Sequence, residues 1–366
     1  MFTETKLEVQ KYLRSGKTLD NLKTQFGIKY SKYEDLVILN YDQIESPKTD
    51  PIVRECRGLI LQLDTWNIVC QSFVRFFNYG EHNTRSLNFN NMYALEKIDG
   101  SIIEIFHHNQ KWMMSTRGSI EGQGTVGLLN MTFRQLFDMT VKQYPDFYKN
   151  LHHAFCYTFE LTSPENRVVK PYTDRKLTLL TMRPTSTFDE IGFEQLKYNA
   201  ELLGVPTPKV YPFTDLESLL QLASGLKDLD EGFVCVDETS VSNGSFERVK
   251  IKSPVYVAIA HIKESSSSSS TAMMQLVIRN EQDEFLSYFP EYKKYIDEIA
   301  QKYNEFKLNV TNDLVQADNY IKKTNEFTRK DYALLVKNMT NPSIMFLRLD
   351  GNIETFEDWV KLSIAQ

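Results

Sequence analysis

Between about residue 35 and residue 256 the chain repeats one pattern, a short apolar or alternating segment closed by Asp, Asn, Gly or Ser. The segments read "DLVILNY", "RGLILQLD", "IVCQSFVRFFN", "ALEKIDGSIIEIFHH", "KWMMSTRGS", "HAFCYTFELTS", "KLTLLTMRP", "EGFVCVDE" and "FERVKIKSPVY". Alternation with period two puts successive side chains on opposite faces of a strand, and turn residues between such runs mark an antiparallel sheet. Helical spacing interrupts the pattern at residues 1 to about 30, with apolar Leu7, Val9, Tyr12 and Leu13, and at about 125 to 150. It returns at "FEQLKYNAELLG" and "DLESLLQLASGL". The expected fold class is therefore α+β, with flanking helices on antiparallel sheets.

Six consecutive serines at 265–270 end the sheet pattern. Such a tract has no side chains with which to build a core, so 263–270 reads as a linker or exposed loop. From 271 to 366 helical periodicity prevails, as in "YFPEYKKYIDEIAQKYNEFKLNVTNDLVQADNYIKK", and an all-helical domain is expected after a first domain of residues 1–262. A length of 366 residues suits two domains. No run of about 18 apolar residues is present, and the N-terminus mixes charged with apolar residues, unlike a secretion signal. A monomeric cytoplasmic protein without membrane partners is expected, in a bacterium or a virus-infected host cell. Cys56, Cys70, Cys156 and Cys235 lie far apart without metal-ligand spacing and are expected to be reduced and buried. The net charge of -6 argues against a generally basic nucleic-acid coat but allows a local basic groove.

Within the strand-rich region, Lys97 precedes an Asp-Gly pair, Asp99-Gly100, and both flanks alternate. The spacing predicts a hairpin that presents the lysine amine at a fixed place. A fixed amine can attack phosphorus, but the charge on the phosphate oxygens and on a departing pyrophosphate must then be met by cations. Candidates stand at strand heads and turns: Arg57 in "ECRG", Arg75 in the aromatic-rich strand "SFVRFFN", and Arg117 in "STRGS". Lys250 and Lys252 in "VKIKS" lie two apart, so a strand would point both amines to one face and Val249 and Ile251 to the other. Glu160 in "YTFELTS" and Glu231 in "LDEGFVCVD" are carboxylates in or beside strands, suited to a ribose hydroxyl or a magnesium ion. Taken singly, each of these is as readily a solvated charge on a sheet's outer face.

The ordered series "ECRG", "FVRFFN", "KIDGS", "TRGSI", "FELTSPENRVV", "LLTMR", "EGFV" and "VKIKSPVY" resembles the T4 RNA ligase 1 family of covalent nucleotidyltransferases, over about residues 35 to 260. The resemblance implies a nucleotidyltransferase domain followed by a helical domain that selects the RNA. It implies ATP and Mg2+ as cofactors, with Mn2+ as a substitute. Lys97 would become adenylylated, and Tyr41, Arg57, Arg75, Glu160, Glu231, Lys250 and Lys252 would bind ATP. Arg117 and Tyr256 would make further phosphate or RNA contacts, and Asp283 in "RNEQDEF" would join Glu160 and Glu231 at the metal. Arg75 and Arg117 depart from the lysines of the nearest alignable member, which exchanges a point charge for a planar fork. The implied activity joins RNA 5'-phosphate and 3'-hydroxyl ends, as in a cleaved tRNA. A DNA ligase, a capping-type nucleotidyltransferase and a non-catalytic RNA-binding relative remain as alternatives.

Overall fold

The N-terminal apolar positions form two short helices, Glu8–Arg14 and Leu19–Phe26, which bury Val9, Leu13 and Leu22. Thr18 starts the second by accepting the Asn21 N–H at 3.2 Å, and Gly27, at φ +64°, ends it in the left-handed region. The chain then enters a first antiparallel sheet of β1 (Ile28–Tyr33), β2 (Leu36–Tyr41), β3 (Arg57–Gln62) and β4 (Ile68–Cys70), paired in that order. The apolar run of β2 is buried on both faces. Its core combines the N-terminal helices with Phe106, Met113 and Ile120 from further along the chain. A short helix, Pro51–Glu55, precedes β3 and is capped by the Asp50 carboxylate. In this computed structural model the described residues are 5–82, 84–126, 130–227, 229–257, 269–288, 292–324 and 326–364.

Nine further strands make two more sheets: β5 (Phe77–Asn78), β6 (Tyr93–Lys97), β7 (Ser101–His108), β8 (Lys111–Thr116), β9 (Phe155–Thr162), β10 (Lys176–Pro184), β11 (Val210–Tyr211), β12 (Gly232–Ser242) and β13 (Ser245–Lys252). One sheet runs β10-β9-β7-β8, the other β11-β6-β12-β13-β5. All pairings are antiparallel except β13 with β5. Helix Phe193–Leu203 packs Leu196, Ala200 and Leu203 into the core of the first of these sheets, and Leu219 and Ala223 of helix Leu216–Ser224 cover Phe233, Val249 and Ile251 of the second.

Three sequence expectations change. The lysine turn is no hairpin: β6 ladders with β11 and β12, whereas β7 ladders with β8 and β9, so Asp99-Gly100 is a corner between two sheets. The cause is local. The Asp99 carboxylate accepts the Val169 and Lys170 N–H groups at 2.8 and 2.6 Å, and Gly100 passes so near β9 that a Cβ would lie 2.6 Å from the Leu161 carbonyl oxygen. Arg75 is not in a strand either. Only Phe77–Asn78 pairs with β13, while the Arg75 N–H donates to the Arg54 carbonyl at 2.7 Å. The helix foreseen over 125 to 150 begins only at Phe133, where Thr132 supplies the cap, runs to Val141, and resumes as Phe147–Asn150 beyond Pro145.

The chain divides into a unit Met1–Lys263, which holds all three sheets, and a unit Glu264–Gln366. The second has helices Ser269–Ile278, Gln282–Tyr288, Lys293–Lys323, Arg329–Val336, Pro342–Leu349 and Phe356–Ile364, and no strand among its described residues. Its long helix buries Ile296, Val310, Leu314 and Ala317 along one stripe. Of the linker expected at 263–270, residues 263–268 lie outside the described residues; Ser269 and Ser270 already open a helix. The four cysteines are buried thiols, and among the described residues no helix is long and apolar enough to cross a membrane.

Candidate active site

Lys97 ends β6 opposite Gly232, and Gly232 in turn faces Lys252 on β13, so the register brings both lysines to one end of the sheet. Only glycine fits between them. Its φ is +138°, and a Cβ there would stand 2.1 Å from the Ile251 carbonyl oxygen. One residue earlier, Glu231 accepts the Lys97 Nζ at 2.6 Å, its side chain 7% exposed and that of the lysine 21%. The amine's direct partner is therefore an anion, Glu231.

The candidate cations are nonetheless close. Lys250 and Lys252 share one face of β13, while Val249 and Ile251 are buried on the other. Lys250 is half-buried with its Nζ 4.8 Å from the Phe76 ring centre. Burial first, then the charges of Lys252, Lys97 and Arg57, push its amine down to about 7. Arg57 heads β3 and lines a hollow of about 410 Å3 together with Lys97, Gly100, Arg117, Phe133 and Glu160. Burial pushes the Glu160 carboxyl up to about 8; the nearby Lys97 and Arg57 charges oppose this, and Glu231 and Asp99 reinforce it.

Arg75 and Arg117 both reach the ring of Tyr41, with guanidinium carbons 4.8 and 4.5 Å from its centre. Arg75 Nη1 donates to the Tyr41 hydroxyl at 2.6 Å, and Arg117 Nε donates to Asn40 Oδ1 at 3.0 Å. Burial would raise the Tyr41 hydroxyl, but the charges of Arg117, Arg75 and Arg57 together bring it below its ordinary value. Planar guanidiniums can cover a ring face and still donate at the edge, which gives arginine a physical reason at both positions. The Arg75 Nε is buried without a protein partner.

Sequence reasoning treated Asp99 as a turn residue, and the structure gives its carboxylate a further load. Oδ1 accepts the Tyr256 hydroxyl at 2.7 Å, and Oδ2 takes the two backbone N–H groups of Val169 and Lys170. The Asp99 N–H reaches the Tyr172 hydroxyl at 3.3 Å, and Asn166 Nδ2 donates to Ser101 Oγ at 2.8 Å. Burial and the Glu231 and Asp99 charges push the Tyr256 hydroxyl up. The signal lay in "SPENRVVKPYTDR", a turn-rich stretch directly after Glu160, but nothing in its spacing names a partner. Asp283 belongs to the second unit, exposed on helix Gln282–Tyr288. Among the described residues no three His, Cys, Asp or Glu side chains form a metal cage. Glu160 and Glu231 are both buried; Glu231 pairs with the Lys97 amine, and the Lys97 and Glu231 charges both bear on the Glu160 carboxyl.

A family described as RNA ligase matches residues 55–256, from the residue before Cys56 through Tyr256. The chain belongs to that family. An Autographa californica nuclear polyhedrosis virus protein named putative bifunctional polynucleotide kinase/RNA ligase is 34% identical over 82% of this chain, which spans only 44% of that relative's length. An RNA ligase of Rhodothermus phage RM378 is 26% identical over 82% of both chains. Among solved structures, an archaeal ATP-dependent RNA ligase (form 1) shares the fold with a TM-score of 0.50 at 13% identity, covering 80% of this chain and 77% of its own. The motifs from Arg57 to Tyr256 all lie within the residues that the family matches.

Proposed function

We propose that the chain is an ATP-dependent RNA ligase that works through a covalent Lys97-AMP intermediate. One observation carries this reading: the Lys97 amine, partnered by Glu231, stands at a hollow whose other charged walls are Arg57, Arg117 and Glu160, with the β13 lysine pair beside it. In the first step Lys97 Nζ gives up its proton through the Glu231 contact and attacks the α-phosphorus of ATP. The N–P bond forms as the bond to pyrophosphate breaks, and pyrophosphate takes the electron pair. In the second step a 5'-phosphate oxygen of RNA attacks the same phosphorus, the N–P bond breaks and the lysine recovers a proton. A 3'-hydroxyl then attacks the adenylylated end and AMP departs, which seals the strand.

Arg57, Lys250 and Lys252 meet the charge on the transferring phosphoryl group, and Tyr41, Arg75 and Arg117 form the cationic wall beside them. Tyr256 braces the turn through Asp99. Glu160 and Glu231 would hold Mg2+, or Mn2+ in its place, which supplies charge neutralisation at the phosphates. Asp283 remains a proposed metal-associated residue on the strength of the sequence resemblance alone. The helical unit selects the RNA, of which a cleaved tRNA is the proposed example, and the enzyme acts as a cytoplasmic monomer.

Incubation with α-labelled ATP and Mg2+ is expected to give an acid-labile, alkali-stable protein adduct that Lys97→Ala abolishes. A wild-type protein that takes no label overturns the covalent mechanism. With 5'-phosphorylated single-stranded RNA and nicked duplex DNA offered side by side, the RNA is expected to be joined. Preferential sealing of the nick would mean a DNA ligase.

A further inference from the structure

The segment Ser163–Arg175, between β9 and β10, contacts Asp99 and Ser101 just after Lys97 and Asp230 just before Glu231. On the lysine side the backbone N–H groups of Val169 and Lys170 grip the Asp99 carboxylate, Asn166 Nδ2 donates to Ser101 and the Tyr172 hydroxyl accepts the Asp99 N–H. On the glutamate side the Lys170 Nζ is paired with the carboxylate of Asp230, the residue directly before Glu231. Lys170 therefore joins the two sides through one residue: its backbone holds the turn that carries Lys97, and its side chain holds the strand entry that carries Glu231. The Nζ also lies 5.6 Å from the Tyr172 ring centre, which keeps the side chain on this path. Glu165 and Arg175 close the base of the loop with an ion pair of their own.

This arrangement is more than an ordinary surface contact. Asp99 is 3% exposed, so its two N–H partners are required to satisfy a buried carboxylate. The Lys170 and Asp230 side chains are only 24% and 33% exposed. A shift of about 1 Å in a reacting group can cost about a hundredfold in rate, so a tie at this place has leverage on chemistry without touching a nucleotide.

We infer that Lys170 is a positioning residue: through Asp230 and Asp99 it fixes the separation of the Lys97 amine from the Glu231 carboxylate. The inference rests on the covalent reading above. At saturating ATP, Lys170→Ala is expected to slow label transfer onto Lys97 by about ten- to a hundredfold, with the KM for ATP within about twofold of wild type, because the phosphate-facing cations are untouched. Asp230→Asn should do the same, and the double variant should be no slower than either single one, since both cut the same tie. Lys170→Arg, which keeps the charge and a donor, should recover most of the rate. In the free protein, amide exchange at residues 97–101 should quicken in Lys170→Ala. Wild-type transfer rates in Lys170→Ala, or a raised KM with an unchanged rate, would overturn the inference. Should that variant fail to fold, Lys170→Met keeps the aliphatic stem and carries the same comparison. If wild type takes no label, the covalent reading falls, and the exchange result alone decides the tie: faster exchange sustains it and unchanged exchange ends it.

Discussion

Two glycines set how near the chain passes to itself around Lys97. Gly100 lets the turn cross over β9, and Gly232 lets β12 close on β13 so that two lysines meet across it. At Gly100 a methyl group would face the Leu161 carbonyl, the Glu160 Cγ and the Thr162 Cγ2 at 2.6 to 3.0 Å. Gly100→Ala is therefore expected to destabilise the fold by about 1–3 kcal/mol, as overpacking does, and to displace Glu160. Urea unfolding measures the first effect and ATP labelling the second; a variant equal to wild type in both would contradict the close approach. At this scale the sequence was informative about identity and silent about cause. Lys97, Glu160, Glu231, Lys250 and the arginines stood out by residue type and by resemblance. The work of Asp99 did not, because a carboxylate in an Asp-Gly pair looks the same whether it shapes a turn or receives N–H groups from a loop about 70 residues away in the sequence.

Strands were legible as short apolar or alternating runs closed by turn residues, as β7, β9 and β12 show. Their partners were not, because pairing is decided by residues distant in sequence. The segment around Arg75 shows the limit from the other side: alternating aromatics mimic a strand, while the backbone bonds instead to Arg54. Strand β7 carries a further polar feature that periodicity hides. Glu104 points inward, 1% exposed, with the Ser115 hydroxyl at 3.2 Å and the Cys70 thiol at 3.5 Å. Burial, with the Cys156 thiol adding, pushes its carboxyl up to about 8. A carboxyl raised above its unfolded value favours folding while it stays protonated. That contribution is complete below about pH 4.5 and fades as pH climbs through about 8. Glu104→Gln should then match wild type near pH 5 and exceed its stability near pH 9, by up to about 5 kcal/mol for a rise from 4.5 to about 8 at about 1.4 kcal/mol per pKa unit. Thermal melts across that range test the sign, and a gap that shrinks with pH would refute it.

At the scale of the whole chain, the change from sheet to helical periodicity was plain in the sequence, and the antiparallel sheets and the helical second unit follow it. The site residues from Tyr41 to Tyr256 all lie in the unit Met1–Lys263, and Asp283 alone lies in the other. A chain cut after Lys263 is thus expected to accept label from ATP at Lys97 within about tenfold of the full-length rate, while the joining of RNA ends falls further. Loss of labelling on truncation, with the sheets intact by circular dichroism, would show that the second unit takes part in the first step. The corner at Asp99-Gly100 has a consequence for how such a chain can vary. Lys97 and Ser101 are pinned to different neighbours, Gly232 on one sheet and Leu161 on the other. A residue gained or lost between them cannot be absorbed by sliding one strand, as it could in a hairpin, because either slide turns a buried face outward. Lys97 therefore sits on a stretch of fixed length, where side chains can be exchanged within limits but the count of residues cannot.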